Sequence, residues 1–150
     1  MMSILALDMS MSCTGWAVLS QANGDAPQIE DSGSLMAEGR AKNYGEYPWC
    51  YVKAARAMSA RIVWLMPKHQ PQEIVVEETT RGRASASSQR CLEVLHCCFL
   101  QMLELDPWWA VHRPSVIYVT TGEWRRTIGL GLSKEDRVHN RKVCEVLRST

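Results

Sequence analysis

The sequence predicts an α/β protein built on a mixed five-stranded sheet: an antiparallel meander of three strands, then two parallel strands, with helices on both faces. Three observations carry this. The N-terminal third holds three short apolar or β-branched runs separated by turn residues, with no helical spacing between them. The remainder alternates helix and strand, giving the order β-β-β-α-β-α-β-α. Strands joined by turns pair antiparallel, whereas strands joined through helices enter a sheet in parallel. The length of 150 residues fits one domain, and 46% hydrophobic residues suffice for a core.

The elements follow in order. Ser3 to Leu7 is a short buried strand that gives way to Asp8. Met9 to Cys13 is a turn, and Thr14 to Ser20 the returning strand. Asn23-Gly24-Asp25 with Pro27 marks a second turn, and Ile29 to Met36 a third strand. Glu38 to Gly45 is polar and loop-like. From Tyr47, the positions Tyr51, Ala55, Met58, Ile62 and Leu65 have helical spacing, with Pro67 as the expected stop. Glu73 to Glu78 is a β-branched run and reads as a buried strand. Thr79 to Ser88 is small, polar and arginine-bearing, so a loop. Leu92, Leu95, Phe99 and Leu103 then form the stripe of a second helix ending near Asp106-Pro107. Val116 to Thr120 is the last strand, followed by a short helix around Trp124 and a longer one from Ser133. Ser133 and Asp136 have capping-box spacing, with aspartate in the usual glutamate place.

Composition excludes several classes. A formal net charge of +1 gives no global attraction to nucleic acid, so any such role rests on local patches. No apolar run approaches the roughly 18 residues of a membrane span. The start runs directly into a strand, leaving no room for a signal or transit peptide, and the expected location is cytoplasmic. Cys13, Cys50, Cys91, Cys97, Cys98 and Cys144 form no C-x-x-C pair. They read as small, soft residues on buried helix faces in a reducing compartment, in preference to a metal cluster with His96. His69, His96, His112 and His139 share no metal-ligand spacing.

Two acids stand out. Asp8 ends the first strand, and Glu77 stands at the corresponding end of the Ile74-Val75-Val76 run. If those strands are parallel neighbours, both carboxylates project from one edge of the sheet. Two carboxylates side by side repel and call for a cation between them. Oxygen-only ligation selects a hard ion, Mg²⁺ or Mn²⁺, and such ions serve phosphodiester hydrolysis. Strand-end acids also serve as caps, turn formers and solvated edges. Alternation puts Glu77 and Glu78 on opposite faces, so one alone can point at Asp8.

The run Ile4 to Asp8, with Ser10 two residues on and Thr14-Gly15-Trp16-Ala17-Val18 opening the return, resembles the start of RuvC-type Holliday junction resolvases, within the ribonuclease H-like superfamily. There the first strand ends in the first catalytic aspartate. Ile74-Val75-Val76-Glu77 resembles the family's fourth strand, whose glutamate directly follows the apolar run; this favours Glu77, with Glu78 in reserve. The segment from Tyr118 through Trp124-Arg125-Arg126 to Asn140 looks closest to phage and prophage versions. The resemblance implies a divalent-metal nuclease with Asp8 and Glu77 as catalytic metal ligands, branched DNA as substrate and no nucleotide cofactor. In the family, an aspartate pair on a C-terminal helix completes the metal site. No such pair follows in this sequence, where Glu135 and Asp136 sit at a helix start and suit dipole capping better. The expectation is a single domain over residues 1–150 lacking its acid-bearing helix, binding metal weakly and cutting poorly.

Basic residues fall in two clusters. Arg81, Arg83 and Arg90 flank Ala84 to Ser88, and Arg125, Arg126, Lys134, Arg137, Arg141 and Lys142 crowd the tail. With Ser10, these are the candidate DNA contacts, positioning a phosphate backbone while DNA shape supplies selectivity. Trp124 reads as an anchor of its short helix, with base stacking the alternative; Trp49, Trp64, Trp108 and Trp109 read as packing or interface residues. Symmetric cutting of two strands implies a homodimer, with Leu92, Leu95 and Phe99 serving core, interface or both. A second reading is a non-catalytic DNA-binding protein on the same fold. A sugar-kinase or actin-like ATPase fits less well, because Asp8-Met9-Ser10 lacks the glycine such phosphate loops generally carry.

Overall fold

Apolar residues two apart on the first strand decide which face of the sheet is buried. In the computed structural model, which describes residues 2–22, 27–78 and 85–123, β1 (Met2–Asp8) turns Leu5 and Leu7 into the core and Ala6 and Asp8 to the other side. β2 (Cys13–Gln21) returns antiparallel to β1, with Leu7 opposite Trp16 and Asp8 opposite Gly15. β3 (Gln28–Met36) continues the meander, and its register with β2 shifts between Val18 and Leu19. β4 (Glu73–Glu78) joins the free edge of β1 in parallel, and β5 (Ser115–Thr120) joins β4 in the same sense. The five strands stand in the order β3-β2-β1-β4-β5. The mixed sheet expected from the element order is therefore present, with β1 at its centre.

Helices α1 (Trp49–His69) and α2 (Ala86–Leu105) pack on one face. Ala55, Met58, Ile62, Leu65 and Met66 of α1 meet Leu95, Phe99 and Leu103 of α2 over Leu5, Leu7, Ile74 and Val76. The helical stripes read from sequence are the buried ones, apart from Tyr51 and Leu92, which stay half-buried. On the opposite face, Ala6, Ala17, Val75 and Val119 line an open cleft. The helix expected from Ser133 lies outside the described residues.

Three local expectations change. Pro67 does not stop α1. Standing in the last turn, it removes a single intrahelical donor, and the helix runs on to His69, where left-handed Gln70 (φ 47°) donates its N–H to the Met66 carbonyl at 2.7 Å. Helix α2 begins at Ala86, inside the expected loop, because the Ser85 hydroxyl caps it by accepting from the Ser88 N–H at 3.2 Å. A further short helix, α3 (Pro107–His112), follows directly: Asp106 accepts from the Trp108 N–H at 2.8 Å, and Pro107 occupies the first turn. Trp108 and Trp109 pack against the core, while Trp49 and Trp64 stay 63% and 62% exposed. Cys97 is exposed and Cys91 and Cys98 half-buried, so the cysteines of α2 do not all face inward. Among the described residues, no helix is long and apolar enough to cross a membrane.

Candidate metal and nucleic-acid site

The parallel pairing of β1 with β4 brings the two acids together. The last registered pair is Leu7 with Val76, and one residue further each strand places a carboxylate, Asp8 and Glu77, on the face away from α1 and α2. Both line a cleft of about 550 Å³ with Ala6, Val75 and Val119 beneath them. Burial of the Asp8 carboxyl, and after it the charge of Glu77, raises the Asp8 pKa above the ordinary aspartate range. Asp8 as a whole residue is exposed, so its shift reflects partial desolvation over an apolar floor. Glu77 is held from the far side: Thr121, just beyond β5, donates its hydroxyl to Glu77 Oε1 at 2.6 Å.

The turn that carries Asp8 is pinned by Thr14. Its buried hydroxyl donates to the Ser10 carbonyl at 2.9 Å and accepts from the Ser10 N–H at 3.2 Å. Gly15, opposite Asp8, keeps that wall of the cleft at backbone level; an added Cβ would lie 3.8 Å from the Asp8 Cβ, inside the space the acids face.

Glu78 falls on the opposite face. It shares a second cleft with His96 and Tyr118, where His96 Nδ1 lies 3.3 Å from the Tyr118 hydroxyl. Burial lowers the His96 pKa and Glu78 opposes it; burial first, with Cys97 and Glu78, raises that of Tyr118. The structure thus brings Asp8 and Glu77 together and sets Glu78 apart from them.

Ser10 stands in the turn after Asp8, its hydroxyl 3.1 Å from that of Ser12. Arg90 is exposed on the second turn of α2. Arg81, Arg83, Arg125, Arg126, Lys134, Arg137, Arg141 and Lys142, together with Trp124, Glu135 and Asp136, lie outside the described residues. Among the described residues, no group of three or more His, Cys, Asp or Glu comes together as a metal centre. Two oxygen donors on adjacent strands fit a hard divalent cation whose remaining ligands come from water, substrate or other residues.

Sequence reasoning missed Thr121. A signal was present: Thr120-Thr121-Gly122-Glu123 has capping-box spacing, and Thr120 and Glu123 do exchange bonds, the Glu123 carboxylate accepting from the Thr120 N–H at 2.7 Å and the Thr120 hydroxyl accepting from the Glu123 N–H at 3.2 Å. That box starts a helical turn at the end of β5 and sets Thr121 beside Glu77.

No family model matches this sequence, and no curated protein matches it. Solved structures do. Thermus thermophilus RuvC superposes with a TM-score of 0.64 at 12% identity, covering 90% of this chain and 75% of that one. The same protein in complex with a Holliday junction substrate gives 0.61 at 10% identity, covering 83% and 70%. The yeast mitochondrial Holliday junction resolvase Ydc2 gives 0.55 at 14% identity over 78% of this chain, which spans half the length of that protein. At such identities the likeness speaks for the fold: the chain has the ribonuclease H-like fold of the RuvC-type resolvases.

Proposed function

We propose that this protein is a metal-dependent, structure-selective endonuclease that hydrolyses phosphodiesters in branched DNA such as Holliday junctions. One observation carries the reading: within a RuvC-like fold, Asp8 at the end of β1 and Glu77 one residue before the end of β4 line the same open cleft. The fold likeness to RuvC-type resolvases supports the nuclease class.

Mg²⁺ or Mn²⁺, when bound, supplies Lewis acidity that lowers the pKa of water and stabilises the leaving oxygen. The residues of the chain do the rest. Asp8 and Glu77 present paired oxygen ligands, and their mutual repulsion makes the cation-free site electrostatically unfavourable. Thr121 fixes the orientation of the Glu77 carboxylate. Thr14 locks the turn behind Asp8. Arg90 and the basic residues at 81, 83, 125, 126, 134, 137, 141 and 142 hold phosphates. The protein acts as a homodimer in a bacterial or phage-infected cytoplasm. Leu95 and Phe99 are consumed by the monomer core, so the outward Leu92, His96 and Leu100 of α2 are the candidates for the dimer contact.

The test is Mg²⁺-dependent cleavage of a four-way junction. Asp8→Asn is expected to abolish cutting while junction binding persists. Undiminished cutting, or lost binding in a folded variant, overturns the reading. A second reading is a junction-binding protein on the same fold without catalysis. In that case junction affinity falls with salt and is indifferent to Asp8→Asn, and no cutting occurs at any Mg²⁺ or Mn²⁺ concentration.

A further inference from the structure

An aromatic corner lies between the starts of α1 and α2, outside the acid-bearing cleft. Tyr47 is 71% exposed, and its ring meets that of Tyr51 edge-on, with centroids 5.9 Å apart at 78°. The two tyrosines, Pro48 and Arg90 line a cleft of about 330 Å³. Ser87 lines this cleft and also a neighbouring one of about 430 Å³, which carries Arg40 and reaches Ser10 and Ser12 in the turn directly after Asp8. The two clefts therefore adjoin at Ser87, one reaching the Asp8 turn and the other the tyrosines.

The charge along these clefts is mostly positive. Arg40 and Arg90 line them and are exposed, against Glu93, which already accepts from the Gln89 side chain at 3.3 Å. Two ring systems beside a guanidinium, in a cleft adjoining a hydroxyl-lined and arginine-flanked one, match one ligand chemistry. The rings take a base, the guanidinium takes the phosphate joined to it, and the adjoining cleft takes the next phosphates. A paired duplex keeps its base faces stacked on each other and offers none to a tyrosine. The occupant is consequently an unpaired nucleotide.

We propose that Tyr47 and Tyr51 form a stacking site for an unpaired base of a strand running past the Asp8 turn, with Arg90 on the adjoining phosphate. This rests on the DNA reading above and deepens it: the strand is opened near the branch, and its freed base is held on the helix side of the sheet.

The experiment uses the full chain and two fluorescent probes, a single strand carrying one 2-aminopurine and a four-way junction with 2-aminopurine at the branch point. Quenching by the wild-type protein is expected with both. The double variant Tyr47→Leu/Tyr51→Leu is expected to lose the quenching and to bind the single strand about tenfold more weakly. Tyr47→Phe/Tyr51→Phe, which keeps both rings, is expected to restore both. Circular dichroism melts verify that each variant is folded. Full quenching by the folded leucine variant overturns the site. So does an equal loss of affinity for intact duplex, which would assign the face to general electrostatics. A change of sedimentation from dimer to monomer without loss of quenching makes the face an interface between copies, and also overturns it. If single strands are quenched but junctions are not preferred, the stacking site stands and the branched-DNA reading falls; preferred junctions without quenching give the reverse.

Discussion

The hydroxyl of Thr121 donates to Glu77 Oε1 at 2.6 Å, tying the residue after β5 to the acid near the end of β4. Parallel pairing of β4 with β5 brings them near, since Glu77 registers with Val119 and Thr121 opens the helical turn that follows β5. A carboxylate aimed by a neighbour gives up less freedom when it binds a cation.

Thr121→Val removes that donor and keeps the shape. Hydrogen bonds to charged groups contribute about 1.5–3 kcal/mol, so the Mg²⁺ concentration for half-maximal cleavage is expected to rise about tenfold or more. Thr121→Ser retains the hydroxyl and is expected to stay within about twofold of wild type. A Mg²⁺ titration of junction cleavage checks both; identical curves for Val and Ser remove Thr121 from the site.

Asp8→Asn is expected to raise the melting temperature at pH 7 in the presence of a chelator. The folded pKa of Asp8 lies above its unfolded value, through burial and then Glu77. Its contribution is therefore fully present below the unfolded pKa and lost as pH rises through the folded one. At neutral pH the wild type carries that loss and the amide does not. The difference vanishes below about pH 3.5, where both states of the aspartate are protonated. Added Mg²⁺ reverses the order by stabilising wild type alone. Melts across pH 3–7, with and without Mg²⁺, read all three.

Stability is expected to fall below pH 6.5 through two histidines. Burial first, then Lys68, lowers the pKa of His69, with Asp31 opposing; burial lowers that of His96, with Glu78 opposing. For groups whose folded pKa is depressed, the stability is present above the unfolded value and lost as pH falls through the folded one. The His69 ring packs on Trp16 with centroids 5.2 Å apart, and Lys68 Nζ lies 5.5 Å from the same indole. His69→Leu is expected to flatten the slope of melting temperature between pH 7 and 5, and NMR titration of wild type to place both histidines below 6.5. An unchanged slope removes His69 as its source.

Phe99→Ala is expected to cost about 3–5 kcal/mol, the usual range for emptying a buried aromatic site, because Phe99 is 0% exposed where α1, α2 and the sheet meet. Leu105→Ala, at a residue 78% exposed, is expected to change stability by less than about 0.5 kcal/mol. Urea melts of the two variants separate core from surface on the same helix.

Much of the fold was legible because it rests on local periodicity. The continuous apolar runs Ile4 to Leu7 and Ile74 to Val76, and the helical stripe from Ala55 to Leu65, mark buried elements directly. Turn residues and the order of strands then imply an antiparallel start and a parallel continuation. The misjudged boundaries have local causes outside periodicity. Ser85 caps α2 from within a polar stretch, Asp106-Pro107 restarts a helix where a proline suggested only an ending, and Pro67 is tolerated because it falls in a last turn.

The sequence by itself determined that Asp8 and Glu77 each directly follow an apolar run that forms a strand; that the two strands are parallel neighbours came from the tertiary structure. Alternation also separated Glu77 from Glu78. Periodicity could not say which of the two faces Asp8, and the resemblance only favoured Glu77; the tertiary structure decided it, because that depends on the parallel register of β1 with β4, a pairing between residues 69 apart in the chain. The same holds for Thr121 on Glu77 and for Tyr47 and Tyr51 beside Arg90. A periodic pattern tells a side chain which face of its own element it occupies; its neighbours across elements are fixed only when the sheet and helices pack together.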